Sequence, residues 1–150
     1  MASPFALVAF TALMAANQPA DASFLDKVDS VKTEGHGCPY CTLAGTNLSN
    51  QCLQNSDFRG ADLDRAQMVL TCLSGSDLRN AKLRGADLSG ANLRNSKLDG
   101  ADFTGATLVS TSFKHTDLTR AKGLTQAQLD KACGDAETKA PDGMSVRTCQ

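Results

Sequence analysis

The chain has no tryptophan, one tyrosine and six phenylalanines among its 150 residues. So few aromatics leave no platform for stacked bases and no aromatic-rich sugar site. Charge of a single sign is missing as well: 15 basic residues face 16 acidic ones, for a net charge of −1. That excludes the basic footprint of a nucleic-acid binder and the acidic tail of a solvating segment, so no nucleic-acid partner is expected. Long hydrophobic runs are absent too. The longest, Phe5 to Ala16 (FALVAFTALMAA), is twelve residues, too short for a membrane span but suited to the core of a signal peptide. Ala20-Asp21-Ala22 is a small-x-small cleavage site, which makes residues 1–22 the expected signal peptide and Ser23 the mature start. No Lys or Arg precedes the run and the first basic residue is Lys27. The positive end must then be the α-amino group, or translation starts elsewhere; the alternative is a buried core helix. No later segment could cross a membrane, so the expected destination is periplasmic or secreted, with no stable membrane insertion once the signal is removed.

What the chain has in excess is regularity. From Leu43 to Leu118 a large apolar residue falls at every fifth position, sixteen times without a miss. A small residue stands two places before it in fifteen of the sixteen, Gln51 being the exception. On a helix each step of five turns the side chain about 140° further round, scattering the leucines around the axis. On a flat strand an odd period throws them onto alternate faces. The beat fits a chain that turns a corner every five residues and keeps one core inside. That is a coiled solenoid.

Charges choose the number of sides. Residues one full turn apart stack at strand spacing, so four sides bring together positions 20 apart and three sides positions 15 apart. At spacing 20 the opposite charges meet at Asp62/Lys82, Asp64/Arg84, Asp77/Lys97, Arg79/Asp99, Lys82/Asp102 and Lys97/Asp117. Like charges meet only at Asp57/Asp77, Arg59/Arg79 and Arg94/Lys114, and at spacing 15 the balance reverses. Opposite cross-strand charges help and like ones oppose, which favours four sides. Cys52 and Cys72, also 20 apart, both precede a core leucine and point outward. Four-sided stacking sets their Cα atoms within disulfide range, although parallel side chains leave the Cβ atoms somewhat far apart. The two either bridge or remain a stacked free pair.

The run A-(D/N)-L-x-x, best preserved in Leu83 to Gly105 (LRGADLSGANLRNSKLDGADFTG), resembles the pentapeptide-repeat family over residues 41–120. The resemblance implies an all-β fold: a right-handed, quadrilateral β-helix of four coils, with the Leu/Phe and the small residue both facing inward. Phe24, Leu25, Val28 and Val31 recur at helical spacing, predicting a short cap helix over 23–33 within an N-terminal cap and Cys-containing linker, residues 23–40. Thr125-Gln126-Ala127-Gln128 is a capping box opening a second short helix through Leu129 and Ala132, with Gly134 placed to end it. It belongs to a C-terminal cap and tail, residues 121–150, turned at Pro141-Asp142-Gly143.

The remaining cysteines follow. Cys133–Cys149 would tie the tail to the cap, and Cys38–Cys41 is left by elimination among the six. Cys38-Pro39-Tyr40-Cys41 is similar to the glutaredoxin dithiol, yet a catalytic Cys needs a helix N-terminus, and here the second Cys starts the solenoid. Exported pentapeptide-repeat proteins resemble this arrangement. His36 with Cys38 and Cys41 gives H-x-C-x-x-C, short of a fourth metal ligand. No metal and no cofactor are expected. The aspartates sit at the outward position where the repeat places Asp or Asn, the glycines at corners, and His115 reads as a solvated surface imidazole. No nucleophile–base pair is visible, so no enzyme activity is expected. The family's DNA mimics that bind gyrase need a long acidic face, whereas these charge rows alternate. One side stands out: around Met68, Leu88 and Leu108 it shows Val69, Leu70 and Val109, with Asp87 its only charged flanking residue. That face suits another protein, a second copy or the chain's own tail. The expectation is a small exported scaffold or protein-binding module, with a thiol–disulfide protein using Cys38/Cys41 and a gyrase-binding mimic as the alternatives.

Overall fold

The computed structural model describes residues 37–150. The expected signal peptide, the helix over 23–33 and His36 lie outside the described residues. From Gly37↔Asp57 to Asn92↔Ser112, twelve successive parallel bridges join each outward residue to the one twenty positions further on. Five residues per side and twenty per coil make the coil four-sided.

Each pentad builds the same unit. In the one around Leu63, Ala61 and Leu63 point inward and Asp62 points out. The Leu63 N–H donates to Lys82 C=O at 2.8 Å, and Lys82 N–H donates back to Ala61 C=O at 2.9 Å. Leu63 C=O then accepts from Ala66 N–H at 3.1 Å, closing the corner. All sixteen pentad residues from Leu43 to Leu118 are buried to 2% exposure or less. Burying one leucine or phenylalanine side chain is worth about 1.5–3 kcal/mol, so the stacked column of them is the main cohesive term. The small inward residues are buried from Ser56 onward, while Cys41, Thr46 and Gln51 in the first coil are only half-buried. Gln51 therefore keeps its polar end accessible.

Hydroxyls that replace alanine inside are satisfied without water. Thr71, Ser76, Ser96, Thr111 and Thr116 each donate to the C=O of a core leucine 23 residues earlier, at 2.8–3.0 Å. The outward Asp or Asn has its own task. Asp57, Asp62, Asp77, Asp87, Asp102 and Asp117 each accept the backbone N–H two residues ahead, at 3.0–3.2 Å. This Asx geometry bends the chain into the corner, which is the physical reason for Asp/Asn before the core residue.

The corners are uniform in backbone and mixed in residue. Every fifth residue from Tyr40 to His115 has φ between 56° and 72°: seven glycines and nine others. Four of the nine are asparagines, which tolerate the left-handed region. His115 shares some of that tolerance, whereas Tyr40, Arg65, Leu70 and Ser110 adopt it without that advantage. The large corner side chains lie over a glycine one coil ahead. A Cβ on Gly60 would stand 2.6 Å from the Tyr40 ring, and one on Gly90 would stand 2.6 Å from Leu70 Cδ2.

Regularity ends at Arg120. It is absent from the left-handed set, and Gly100 N–H reaches its carbonyl at 3.0 Å in place of that of Thr119. The ladder continues with a slipped register, Ser112↔Cys133 and Asp117↔Lys139. Between Lys122, still in register with Asp102, and Cys133 lies α1, Gln126–Leu129, one turn long, with Thr125 and Gln128 capping each other. The expected helix through Ala132 ended by Gly134 is not seen. Gly134 instead bridges Thr148, and a side chain there would run into Thr138.

Leu124, Leu129 and Ala132 are buried against the last coil. Side chains supply what the departing backbone no longer does. The carbonyls of Ala101, Thr111 and Thr116 accept from the backbone N–H groups of Lys122, Cys133 and Lys139. The equivalent carbonyl of Ala106 accepts from Gln128 Nε2 at 2.8 Å, and the same nitrogen reaches Phe103 C=O at 3.0 Å. Thr138 Oγ1 donates to Phe113 C=O at 2.9 Å, the role played by Thr71 and its equivalents, now at separation 25.

Candidate functional site

The Val69–Leu70–Val109 side is the apolar surface of the coil. Leu70 is 58% exposed and Val109 43% exposed, while Val69 is half-buried. Ser89 and Gly90 lie between the two valine rows. Asp87 is occupied locally, taking the Ser89 N–H at 3.0 Å and the Ser89 hydroxyl at 2.6 Å. The C-terminal tail does not cover this face: it packs over the end of the coil, and Leu70 and Val109 stay open. Leu70 breaks two local preferences together. It exposes a large apolar side chain, and it holds φ at 56°, a region costing an ordinary L-residue roughly 1–2 kcal/mol.

The cysteines sort by position. Cys38 and Cys41 are joined in the structure with Cα atoms 5.6 Å apart, inside the first turn of the ladder. Cys38 N–H donates to Asp57 C=O at 2.6 Å and Cys41 C=O accepts from Asp62 N–H at 2.8 Å. No helix follows Cys38, so no helix dipole acts on its sulfur. Cys133 and Cys149 are joined with Cα atoms 4.8 Å apart. Cys52 and Cys72 are unjoined, with their sulfurs 2.8 Å apart. Four of the six cysteines thus share one side, since the outward column runs Cys52, Cys72, Asn92, Ser112, Cys133, and Cys149 Sγ lies 3.8 Å from Ser112 Oγ.

The acidic residues are largely neutralised in place. Asp57 and Asp77 are gripped by Arg59 and Arg79 of their own pentads, with closest approaches of 2.6 Å. Those guanidinium contacts, foremost, hold both carboxyls below their ordinary range. Across coils, Asp64–Arg84 at 2.5 Å and Asp62–Lys82 at 3.8 Å are formed. The other four expected cross-coil pairs are not within ion-pair distance. An arginine two residues away on the same Asx corner outcompetes a partner one coil away, and Asp99 and Asp117 turn to Arg120 and Lys139.

His115 is not a free surface imidazole. Its Nδ1 faces Asp135 Oδ2 at 2.5 Å and its Nε2 faces Glu137 Oε2 at 3.2 Å. Its backbone N–H donates to Asp135 Oδ1 at 3.1 Å, replacing a ladder bond. Asp135 Oδ2 is buried with no other partner. Burial raises the Asp135 carboxyl, but the backbone N–H of His115, the Thr138 hydroxyl and the N–H of Glu137 outweigh it and bring it down to about 2. The ring is a clamp between coil and closing segment. The spacing to Asp135, twenty residues, was the available clue.

Among the described residues no group of three or more metal-ligating side chains converges, and no helix is long and apolar enough to cross a membrane. The chain is similar to Rfr23, a pentapeptide repeat protein from the cyanobacterium Cyanothece 51142, at 25% identity over 77% of this chain and 98% of that one, with a TM-score of 0.41. It is also similar to a pentapeptide repeat protein of the Arabidopsis thaliana thylakoid lumen, at 33% identity over 65% of this chain and 74% of that one, TM-score 0.35. No curated relative matches. The model described as pentapeptide repeats (8 copies) matches residues 41–80, 71–108, 86–122 and 96–133. With that match spread over the parallel ladder, the chain belongs to the pentapeptide-repeat family, whose fold is a right-handed β-helix.

Proposed function

We propose that the protein is a non-catalytic, exported rigid scaffold that presents the Val69–Leu70–Val109 face to another protein. In this reading residues 1–22 are the export signal, and residues 41–120 form four coils capped by residues 23–40 and 121–150. The observation that carries it is Leu70. An exposed leucine in a left-handed corner contributes little to folding, where glycine or asparagine fills eleven of the sixteen corners. Rule-breaking of that kind is expected where a surface serves a partner. The cysteine pairs at both ends of the ladder suit an oxidising compartment.

The test is Val69→Arg with Val109→Arg. Two cations on the face should abolish the crosslinked species formed by the native chain in periplasmic extract and leave the thermal transition in place. A single species at twice the chain mass would identify the partner as a second copy. Unchanged crosslinking by a folded variant would remove this face from consideration. Gyrase mimicry is disfavoured because, among the described residues, Asp57, Asp62, Asp64 and Asp77 are each paired with an arginine or lysine. The Cys38–Cys41 dithiol reading is disfavoured by its place in a ladder turn.

A further inference from the structure

We propose that Cys52 and Cys72 form a reversible dithiol–disulfide couple, open to exchange with small external disulfides, while the other two cysteine pairs stay closed. The two residues are a bridged pair on adjacent coils, and their sulfurs already touch at 2.8 Å. Both point outward, Cys52 exposed and Cys72 partly so, which leaves room for an attacking molecule.

The backbone around them is clamped. Leu53 N–H donates to Cys72 C=O at 2.8 Å, and Cys72 N–H donates to Gln51 C=O at 2.9 Å. Those bonds hold the coils at strand spacing, about 4.8 Å, whereas a relaxed disulfide wants Cβ atoms about 3.5–4.5 Å apart. Closure is therefore reachable by side-chain rotation, yet the ladder resists the last approach. A bond formed against such resistance is more easily reduced than one whose partners need no such approach. Cys38–Cys41 and Cys133–Cys149, which are not in-register neighbours twenty residues apart, are already joined, with Cα atoms 5.6 and 4.8 Å apart. Neither Cys52 nor Cys72 carries a core contact in the repeat plan, so Leu53 and Leu73 stay buried in either state.

The chemistry balances with oxidised glutathione as co-reactant. The Cys52 thiolate attacks one glutathione sulfur, forming a mixed disulfide and releasing one glutathione thiolate. Cys72 then gives up its proton and displaces the second glutathione, leaving Cys52–Cys72 and two reduced glutathiones. The order follows exposure. It also follows the contact with Cys52, which foremost pushes the Cys72 thiol up and keeps it protonated until the second step.

The full chain, equilibrated in glutathione buffers of graded ratio, then alkylated and mapped by mass spectrometry, tests this. Cys52–Cys72 should open at a ratio at least about tenfold less reducing than the other two pairs require, with the circular dichroism spectrum unchanged. Cys72→Ser should stop the reaction midway, with glutathione trapped on Cys52. Three results would overturn the proposal. The pair could stay reduced in oxidised glutathione, it could open together with or after the other pairs, or a folded Cys72→Ser variant could take up no glutathione.

Discussion

The repeated coil and the closing segment solve the same problem in opposite ways. From Tyr40 to His115 each pentad reuses a buried large residue, an outward side chain and a left-handed corner. Residues 121–150 use each device once: Gln128 for Ala106 and Phe103, Thr138 for Phe113, Asp135 for His115. Stability in the coil is spread thinly over many equivalent sites. In the closing segment it is concentrated in a few irreplaceable contacts. Repetition makes damage local, and singular contacts make it propagate.

Substitutions can break this contrast. The largest effect belongs to the core. Leu83→Ala, at a fully buried site, should cost about 3 kcal/mol in urea unfolding, and Leu63→Ala and Leu93→Ala should match it closely. Unequal costs along the column would show that the coils are not equivalent. Cys133→Ser releases a tie of sequence separation 16, and should cost about 2–3 kcal/mol. Amide exchange should rise in 121–150 while the early coils stay protected. Gln128→Ala strands the Ala106 carbonyl, leaves Phe103 C=O with the Ala106 N–H alone, and removes half of a capping box, for about 2 kcal/mol. Gln128→Glu, of equal length but unable to donate, should be no better.

The acid side of the stability curve sharpens the comparison further. Asp135 titrates at about 2 in the folded chain against an ordinary 3.8. A depressed carboxyl stabilises the fold above its unfolded value, and the contribution fades as pH falls from about 4 to about 2. Thermal melts of Asp135→Asn against the native chain should therefore differ at neutral pH and converge near pH 2. Divergence that persists into acid would mean that Asp135 acts by shape alone. The smallest effect is a gain: Leu70→Gly should raise stability by about 1 kcal/mol by relieving the left-handed corner.

What could be read beforehand follows the same division. Period five put Leu43 to Leu118 inside, and residue pairs twenty apart set the coil register that the ladder shows. Both are carried by many residues, so no single exception could hide them. Single-use contacts carried no such redundancy. The capping box at Thr125 was visible, but Gln128's reach to two carbonyls depends on where the coil stops, which Arg120 alone signals by leaving the left-handed region. Cross-coil charge pairing was overestimated in part because the Asx corner brings Asp77 to its own Arg79 first, which removes both the Asp77/Lys97 and the Arg79/Asp99 pair. Gly134 looked like a helix terminator because glycine after a helix usually is one. Here it makes room for Thr138.

The unbroken ladder would otherwise have no reason to stop at any particular length. A last coil with free acceptors and donors is a growth front, ready to template another copy end to end. Gln128, Cys133 and Lys139 occupy those acceptors one side at a time. The closing segment can thus be seen as a chain terminator in the polymer sense: it turns a periodic, extendable lattice into a molecule of finite size.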